Sequence, residues 1–183
     1  MATRDNKNTL LKIHLCCGDV YLKDYINIDG MGKIGTKDGT TLKHYYTGNV
    51  HENKQVIVDE IRVIPYELDY KDVDEYLMIS SFEHFSLRNA SELVKKVHST
   101  LKKGGVFRFD FPDVLATIKK HIKQPEYMMR LIYGSGKNEY SFHRHGYTKE
   151  TIKRLLEPCN WKSIKFGDIV KHEYPMIGVT ATK

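Results

Sequence analysis

Residues 12–29 read KIHLCCGDVYLKDYINID, and the fold class follows from them. Ile13 and Leu15 make a short apolar strand that runs into a tight turn of small residues, Cys16, Cys17 and Gly18. A second apolar segment, Tyr25, Ile26 and Ile28, ends on the carboxylate of Asp29. Strand, turn, strand and acid are the opening of a nucleoside-binding α/β domain. The turn lets backbone N–H groups approach an anionic ligand group. The acid can accept hydrogen bonds from two ribose hydroxyls.

Outward from this stretch, the chain keeps alternating strand and helix. Apolar runs at residues 12–15, 25–28, 55–59, 75–80 and 106–111 read as strands 1 to 5, and 161–166 and 174–182 as two final strands. Residues 87–101 carry Leu87, Ala90, Leu93, Val94, Val97 and Leu101 at helical spacing. Gly104-Gly105 is expected to stop that helix and turn the chain into strand 5. Pro112-Asp113 ends strand 5, with Asp113 as N-cap of a helix over 114–123. A short helix at 128–133 leads into glycines 134 and 136, a histidine-rich loop follows at 142–147, and Thr148 caps a helix reaching 157. Residues 30–54 are polar and glycine-punctuated, long for a loop and read as a flexible functional segment. Strands alternating with helices predict one α/β domain over 1–183 with a mostly parallel sheet.

The bulk numbers narrow the class. The 183 residues are 40% hydrophobic and 28% charged, ordinary for a globular protein with a real core. No run approaches the roughly 20 apolar residues of a membrane span, and the polar start MATRDNKNTL is no signal peptide. No membrane association and a cytoplasmic location are the expectation. Cys16, Cys17 and Cys159 form neither a disulfide framework nor a zinc spacing, so reduced thiols are expected. The net charge of +6 permits a nucleic-acid partner, but the lysines are spread along helical positions and read as a solvated face.

A dinucleotide site needs G-x-G-x-x-G and a full helix N-terminus on the pyrophosphate. Here Gly18 is the lone glycine of the turn and Asp29 follows early, which leaves room for one or two helical turns within 20–23. A ligand with one carboxylate and a ribose fits better. Six motifs in register then resemble the class I S-adenosylmethionine-dependent methyltransferases, in a small bacterial branch with a compressed first motif. Its L-G-C-G and N-h-D are matched by Leu15-Cys16-Cys17-Gly18 and Asn27-Ile28-Asp29. Its acid before L-P-F is matched by Glu60, ahead of Val63-Ile64-Pro65-Tyr66, with Asp59 alongside. Its H-x-L-E-H corresponds to Ser80-Ser81-Phe82-Glu83-His84, its L-K-P-G-G and P-D to Leu101–Gly105 and Pro112-Asp113, and its H-x-x-G-[FY]-[ST] to His143–Thr148.

The resemblance implies a Rossmann-like fold: a mostly parallel seven-stranded sheet, helices on both faces and an antiparallel C-terminal strand. It implies S-adenosylmethionine as cofactor, with Leu15, Cys16, Cys17 and Gly18 facing its methionine part. Asp29 would hold the ribose, Glu60 or Asp59 the adenine, and Ser80 and Ser81 would lie beneath the sulfonium. Methyl transfer rests largely on alignment, but an oxygen acceptor also needs a base. The candidates are His84, His143 and His145, with Glu83 as a carboxylate. Helix-start capping and packing is the competing role for Glu83 and His84. For His143 and His145 a surface loop competes with a lid hinged at 134–136. A metal on His143 and His145 lacks a third ligand at a recognisable spacing, so none is expected.

Cys16 stands where the branch places glycine, and Ser80 where it places histidine. Three readings follow. The first is a methyltransferase acting on a small molecule or glycan precursor, the acceptor class being analogy alone. The second is a non-catalytic nucleoside- or partner-binding module that has kept the fold. The third is an RNA-directed methyltransferase, favoured only by charge; no D-P-P-Y motif follows strand 4.

Overall fold

The first apolar segment, β1 (Lys12–Leu15), is an interior strand of the sheet that the whole domain is built on. The computed structural model describes residues 10–18, 20, 22–29, 58–59, 70–137 and 141–183. β1 pairs in parallel with β2 (Ile26–Ile28) on one side and β4 (Val73–Met78) on the other. β3 (Val58–Asp59) extends the β2 edge and β5 (Leu101–Pro112) the β4 edge, both parallel. β7 (Met176–Thr182) inserts antiparallel between β5 and β6 (Ser163–Phe166). The order β3-β2-β1-β4-β5-β7-β6 is seven-stranded, mostly parallel and closed by an antiparallel C-terminal strand. The helices are α1 (Leu87–Thr100), α2 (Val114–His121), α3 (Pro125–Tyr133) and α4 (Lys149–Leu156).

Alternation of side chains along each strand makes the two faces unlike. Ile13, Tyr76, Met78, Phe107, Phe109 and Phe111 point to one face and form the main core with Ala90, Leu93, Val94 and Val97 of α1 and Ile152 and Leu156 of α4. Phe82 stacks on Phe109 with ring centroids 4.4 Å apart and sits beside Tyr147 at 5.1 Å. The helix residues of that core recur at helical spacing, as read from the sequence, but Leu87 is 48% exposed. The other face carries a smaller cluster of Leu22, Leu77 and Ile79, packed by Val20, Tyr25, Ile169 and Val170.

Several boundaries differ from the sequence reading. β2 begins at Ile26 and β4 spans Val73–Met78, shifted toward the N-terminus. Helix α1 ends at Thr100, and Leu101 already pairs with Val73 as β5. The two glycines therefore do not separate helix from strand; they lie within β5 at a register shift. A Cβ on Gly105 would come within 2.8 Å of the Val73 carbonyl, so the shift needs glycine there. Residues 60–69 and 30–57 lie outside the described residues, so Glu60 and the long polar loop receive no structural account. The caps match the reading: Asp113 accepts from Ala116 N at 2.9 Å and Thr148 from Thr151 N at 3.2 Å.

The expected helical turns at 20–23 are absent among the described residues. The chain there makes tight turns instead, Val20 N to Cys17 O at 3.0 Å and Tyr25 N to Leu22 O at 3.4 Å. Asn27 explains this. Its side chain is buried, accepts from Leu22 N at 2.8 Å, and donates to Leu22 O and Tyr25 O, both at 3.0 Å. A single amide thus satisfies the backbone groups that a helix would otherwise have satisfied for itself. It also accepts from His14 Nδ1 at 3.1 Å, which ties β2 to β1 by side chains as well as by the ladder.

Candidate active site

The carboxyl ends of β1, β2 and β4 converge at one edge of the sheet. The chain leaves β1 toward β2 and later returns to β4 on β1's other side, so a crevice opens there. Cys16, directly after β1, adopts φ +53°, and Gly18 adopts φ +54°. Among the described residues nothing beyond the chain neighbours lies within 4 Å of a Cβ built on Gly18, so they leave the space over the turn open. Asp29 stands over the same turn, its Oδ2 accepting from Gly18 N at 2.8 Å. The turn is further tied down by Cys17 N donating to Ile28 O at 3.1 Å.

Cys16 holds a left-handed conformation that costs a non-glycine residue about 1 kcal/mol. Its side chain packs against the main core. Burial, followed by the charges of Asp29, Cys17 and Glu83, pushes the thiol far above its ordinary range. Cys16 is therefore a protonated packing residue. The neighbouring Cys17 and Leu15 are buried as well. The turn offers a ligand its backbone. Asp59 closes β3 in register beside Ile28, one position before Asp29 on the neighbouring strand.

Beyond β4, Ser80 takes φ +48° and donates its N–H to Asp110 Oδ1 at 2.7 Å. Ser81 donates to Ile79 O at 2.7 Å and lies 3.3 Å from Cys16 O, which holds the ends of β4 and β1 together. Residues Phe82–His84 form one turn of 3-10 helix. Its Glu83 carbonyl accepts from Arg144 N at 2.8 Å and His145 N at 3.3 Å. The histidine-rich loop is docked onto this turn by backbone bonds between residues some 60 positions apart in sequence.

That docking brings Glu83, His84 and His143 together. A potential ligand atom from each lies within 4.8 Å of the others. The rings of His84 and His143 meet edge to face with centroids 4.9 Å apart. His84 Nδ1 lies 2.9 Å from Phe142 O and His143 Nδ1 lies 3.1 Å from Ile132 O. A carbonyl can only accept, so both imidazoles carry hydrogen on Nδ1 and a lone pair on Nε2. His143 Nε2 is 3.8 Å from Glu83 Oε1. Burial raises the Glu83 carboxyl to about 8, with the Asp110 charge adding to it. Burial lowers His143 to about 4, helped by His84, and lowers His84 as well. Those directions make the Glu83–His143 contact one between neutral groups rather than an ion pair. Together with Ser80, Arg130 and Tyr174, the three residues line one open cavity.

His145 does not join this group. Its ring packs edge to face on Tyr147, with centroids 4.7 Å apart. Tyr147 is itself buried and donates to Phe85 O at 3.0 Å, so it is a core residue and does not stack on a ligand. Tyr133 is 62% exposed. Tyr45, Tyr46 and Tyr140 lie outside the described residues.

Asp110 escapes a motif search. It is 1% exposed, and besides Ser80 N it meets His172 Nε2 at 2.7 Å through Oδ2. The signal was a carboxylate in the apolar run VFRFDF.

No family model matches the chain. Over 85 residues it is 32% identical to the phenylalanine–tRNA ligase alpha subunit of Methanococcus maripaludis, covering 46% of this chain and 16% of that one. That segment is too small a part of the ligase to bear on function. Solved structures resemble the fold over almost the whole chain. A S-adenosylmethionine-dependent methyltransferase of Methanosarcina mazei superposes with a TM-score of 0.59 at 14% identity, covering 97% of this chain and 94% of that one. The plantazolicin methyltransferase, solved with a desmethyl substrate analogue and S-adenosylhomocysteine, gives 0.60 at 12% identity, with 97% and 77% covered. A Nostoc punctiforme protein assigned as an O-methyltransferase gives 0.58 at 12% identity; there this chain spans 53% of its length. At such identities the likeness establishes the fold, the Rossmann-like fold of these methyltransferases.

Proposed function

We propose that the chain is an S-adenosylmethionine-dependent methyltransferase acting on a small molecule or a glycan precursor. The observation that carries this reading is Asp29 standing over the Gly18 turn, 2.8 Å from its N–H, at the crevice edge of this fold. The space that the described residues leave above Gly18 fits a ligand lying on the turn's backbone. In this reading the Cys16–Gly18 backbone holds the methionine end of the cofactor and Asp29 the ribose. Asp59 or Glu60 serves the adenine. The bound cofactor supplies an activated methyl group on a sulfonium.

The chain's own residues then align and deprotonate the acceptor. Ser81 meets the turn at Cys16 O and the adjacent Ser80 lines the cavity. In that cavity His84 and His143 are the imidazoles whose Nε2 can take a proton from an acceptor hydroxyl, and Glu83 can do so once it is ionised. The lysines around the far end of the sheet serve the fold. Lys183 Nζ donates to His98 O and Leu101 O, both at 2.6 Å, and Lys102 pairs with Asp74. That use of basic side chains favours a small acceptor over RNA.

Calorimetric titration with S-adenosylmethionine and S-adenosylhomocysteine tests the reading. Binding in the micromolar range is expected. Absence of heat at millimolar ligand would sink both methyltransferase readings. Binding with no methyl transfer to any acceptor tried would favour the non-catalytic module.

A further inference from the structure

Glu83, His84 and His143 are more than a hydrogen-bonded cluster. Glu83 is 4% exposed, and its Oε2 has no hydrogen-bond partner among the described residues. A buried carboxyl oxygen left without a partner is costly, and native proteins rarely keep one without a use. The histidines beside it are oriented in the way metal-binding imidazoles are. Each gives its Nδ1–H to a main-chain carbonyl, Phe142 O or Ile132 O, which fixes the ring and presents Nε2 as a lone pair.

We propose that Glu83, His84 and His143 bind one divalent transition-metal ion of the zinc type. Two imidazoles and a carboxylate are a borderline donor set, suited to zinc and its neighbours rather than to magnesium or calcium. The three potential ligand atoms lie within 4.8 Å of one another. A tetrahedral zinc site with bonds near 2.0 Å has edges of about 3.3 Å, so the side chains close by somewhat over an ångström on binding. Three protein ligands leave a further position, and these residues line a cavity also bordered by Ser80 and Arg130. An open site is the catalytic kind. Histidine spacing alone conceals it, because the neighbour in sequence, His145, is turned onto Tyr147 while the other two ligands, Glu83 and His84, come from the turn after β4.

The ion's binding stands on these residues alone. Its use rests on the proposed methyltransferase reading, which it deepens: with the ion bound, an oxygen acceptor would be held on the metal, and Glu83, His84 and His143 would serve as its ligands in place of taking the proton themselves. The test is calorimetric titration of the chelator-treated chain with zinc chloride, in the absence of any S-adenosyl compound. A parallel cobalt(II) titration is followed by visible absorption. One ion per chain at micromolar affinity or better is expected, with a d–d band showing low coordination number. Glu83→Gln, which keeps shape, and His143→Ala should each weaken binding by about 100-fold or more, whereas His145→Ala should leave it unchanged. Circular dichroism melts verify folding of each variant, and the wild-type cobalt spectrum is informative even where a variant fails to fold. No binding below about 100 μM, or tight binding that survives loss of Glu83 and His143, overturns the proposal. S-adenosylhomocysteine titration of the same preparation reads the methyltransferase assignment separately.

Discussion

Replacing Asn27 with alanine should both destabilise the fold and disorganise the cofactor edge. The native side chain makes four hydrogen bonds, with Leu22 N, Leu22 O, Tyr25 O and His14 Nδ1, at 2.8 to 3.1 Å. Alanine deprives all four groups of this partner. Leu22 is 2% exposed, so its N–H and C=O lose bonds where water cannot readily replace them. An unmade bond at a buried group costs roughly 1–3 kcal/mol. Tyr25 O is closer to solvent and contributes less. Taking about 2 kcal/mol for each Leu22 group and allowing partial relaxation, the loss comes to about 3–4 kcal/mol. That is a large share of a typical stability of about 5–15 kcal/mol. For a chain of this size it corresponds to a fall in Tm of roughly 10 °C. The assay is urea unfolding by circular dichroism, with the midpoint read at unchanged slope. Because Asp29 lies two residues beyond Asn27 on the same strand end, affinity for S-adenosylhomocysteine should fall in the variant even well below its Tm. A loss under about 1 kcal/mol would show that Asn27 does not hold the β1–β2 connection in place of a helix.

Asp29→Ala should reduce affinity for S-adenosylhomocysteine at least about 100-fold while costing about 1 kcal/mol of stability, the bond to Gly18 N being near the surface; calorimetry showing unchanged affinity would remove the ribose assignment. Cys16→Gly relieves the left-handed strain but frees the unfolded chain, so stability should change by less than about 1 kcal/mol and cofactor affinity should hold or improve. A large loss of binding would mean the thiol itself contributes. Burial lowers His14 to about 4 from an ordinary 6.5, so the unfolded chain binds the extra proton between those values. Stability from this residue is therefore present above pH 6.5 and lost as pH falls toward 4, by about 3 kcal/mol. Glu83, raised by burial, acts in the opposite direction as pH rises from 4.5 toward 8, so the measurement is the difference between the wild type and His14→Gln in urea melts over that range. A variant that keeps the full acid dependence would refute it.

The sheet was legible because its signals are local. Alternating apolar residues name strands wherever they fall, and Asp113 and Thr148 mark helix starts through bonds to residues three positions away. Where the reading slipped, a distant partner had intervened. Leu101 looked like the end of a helix until its pairing with Val73 drew it into β5. Residues 20–23 read as helical because nothing in that segment announces that Asn27 takes over the backbone groups of Leu22.

Short-range pattern suffices for the succession of strands and helices along the chain, for the acid-after-turn device at Gly18 and Asp29, and for the family resemblance. Each of these resides in residues close along the chain. Tertiary structure alone decided which histidines work together. His143 and His145 are two residues apart, yet backbone bonds from the loop to Glu83 O bring His143 to His84 and Glu83, while His145 meets Tyr147. It also decided the state of Cys16, whose thiol packs against the core at a backbone angle that favours glycine. Spacing along a chain says nothing of burial or of contacts across 60 residues, and those set the protonation and the partners of the groups that do chemistry.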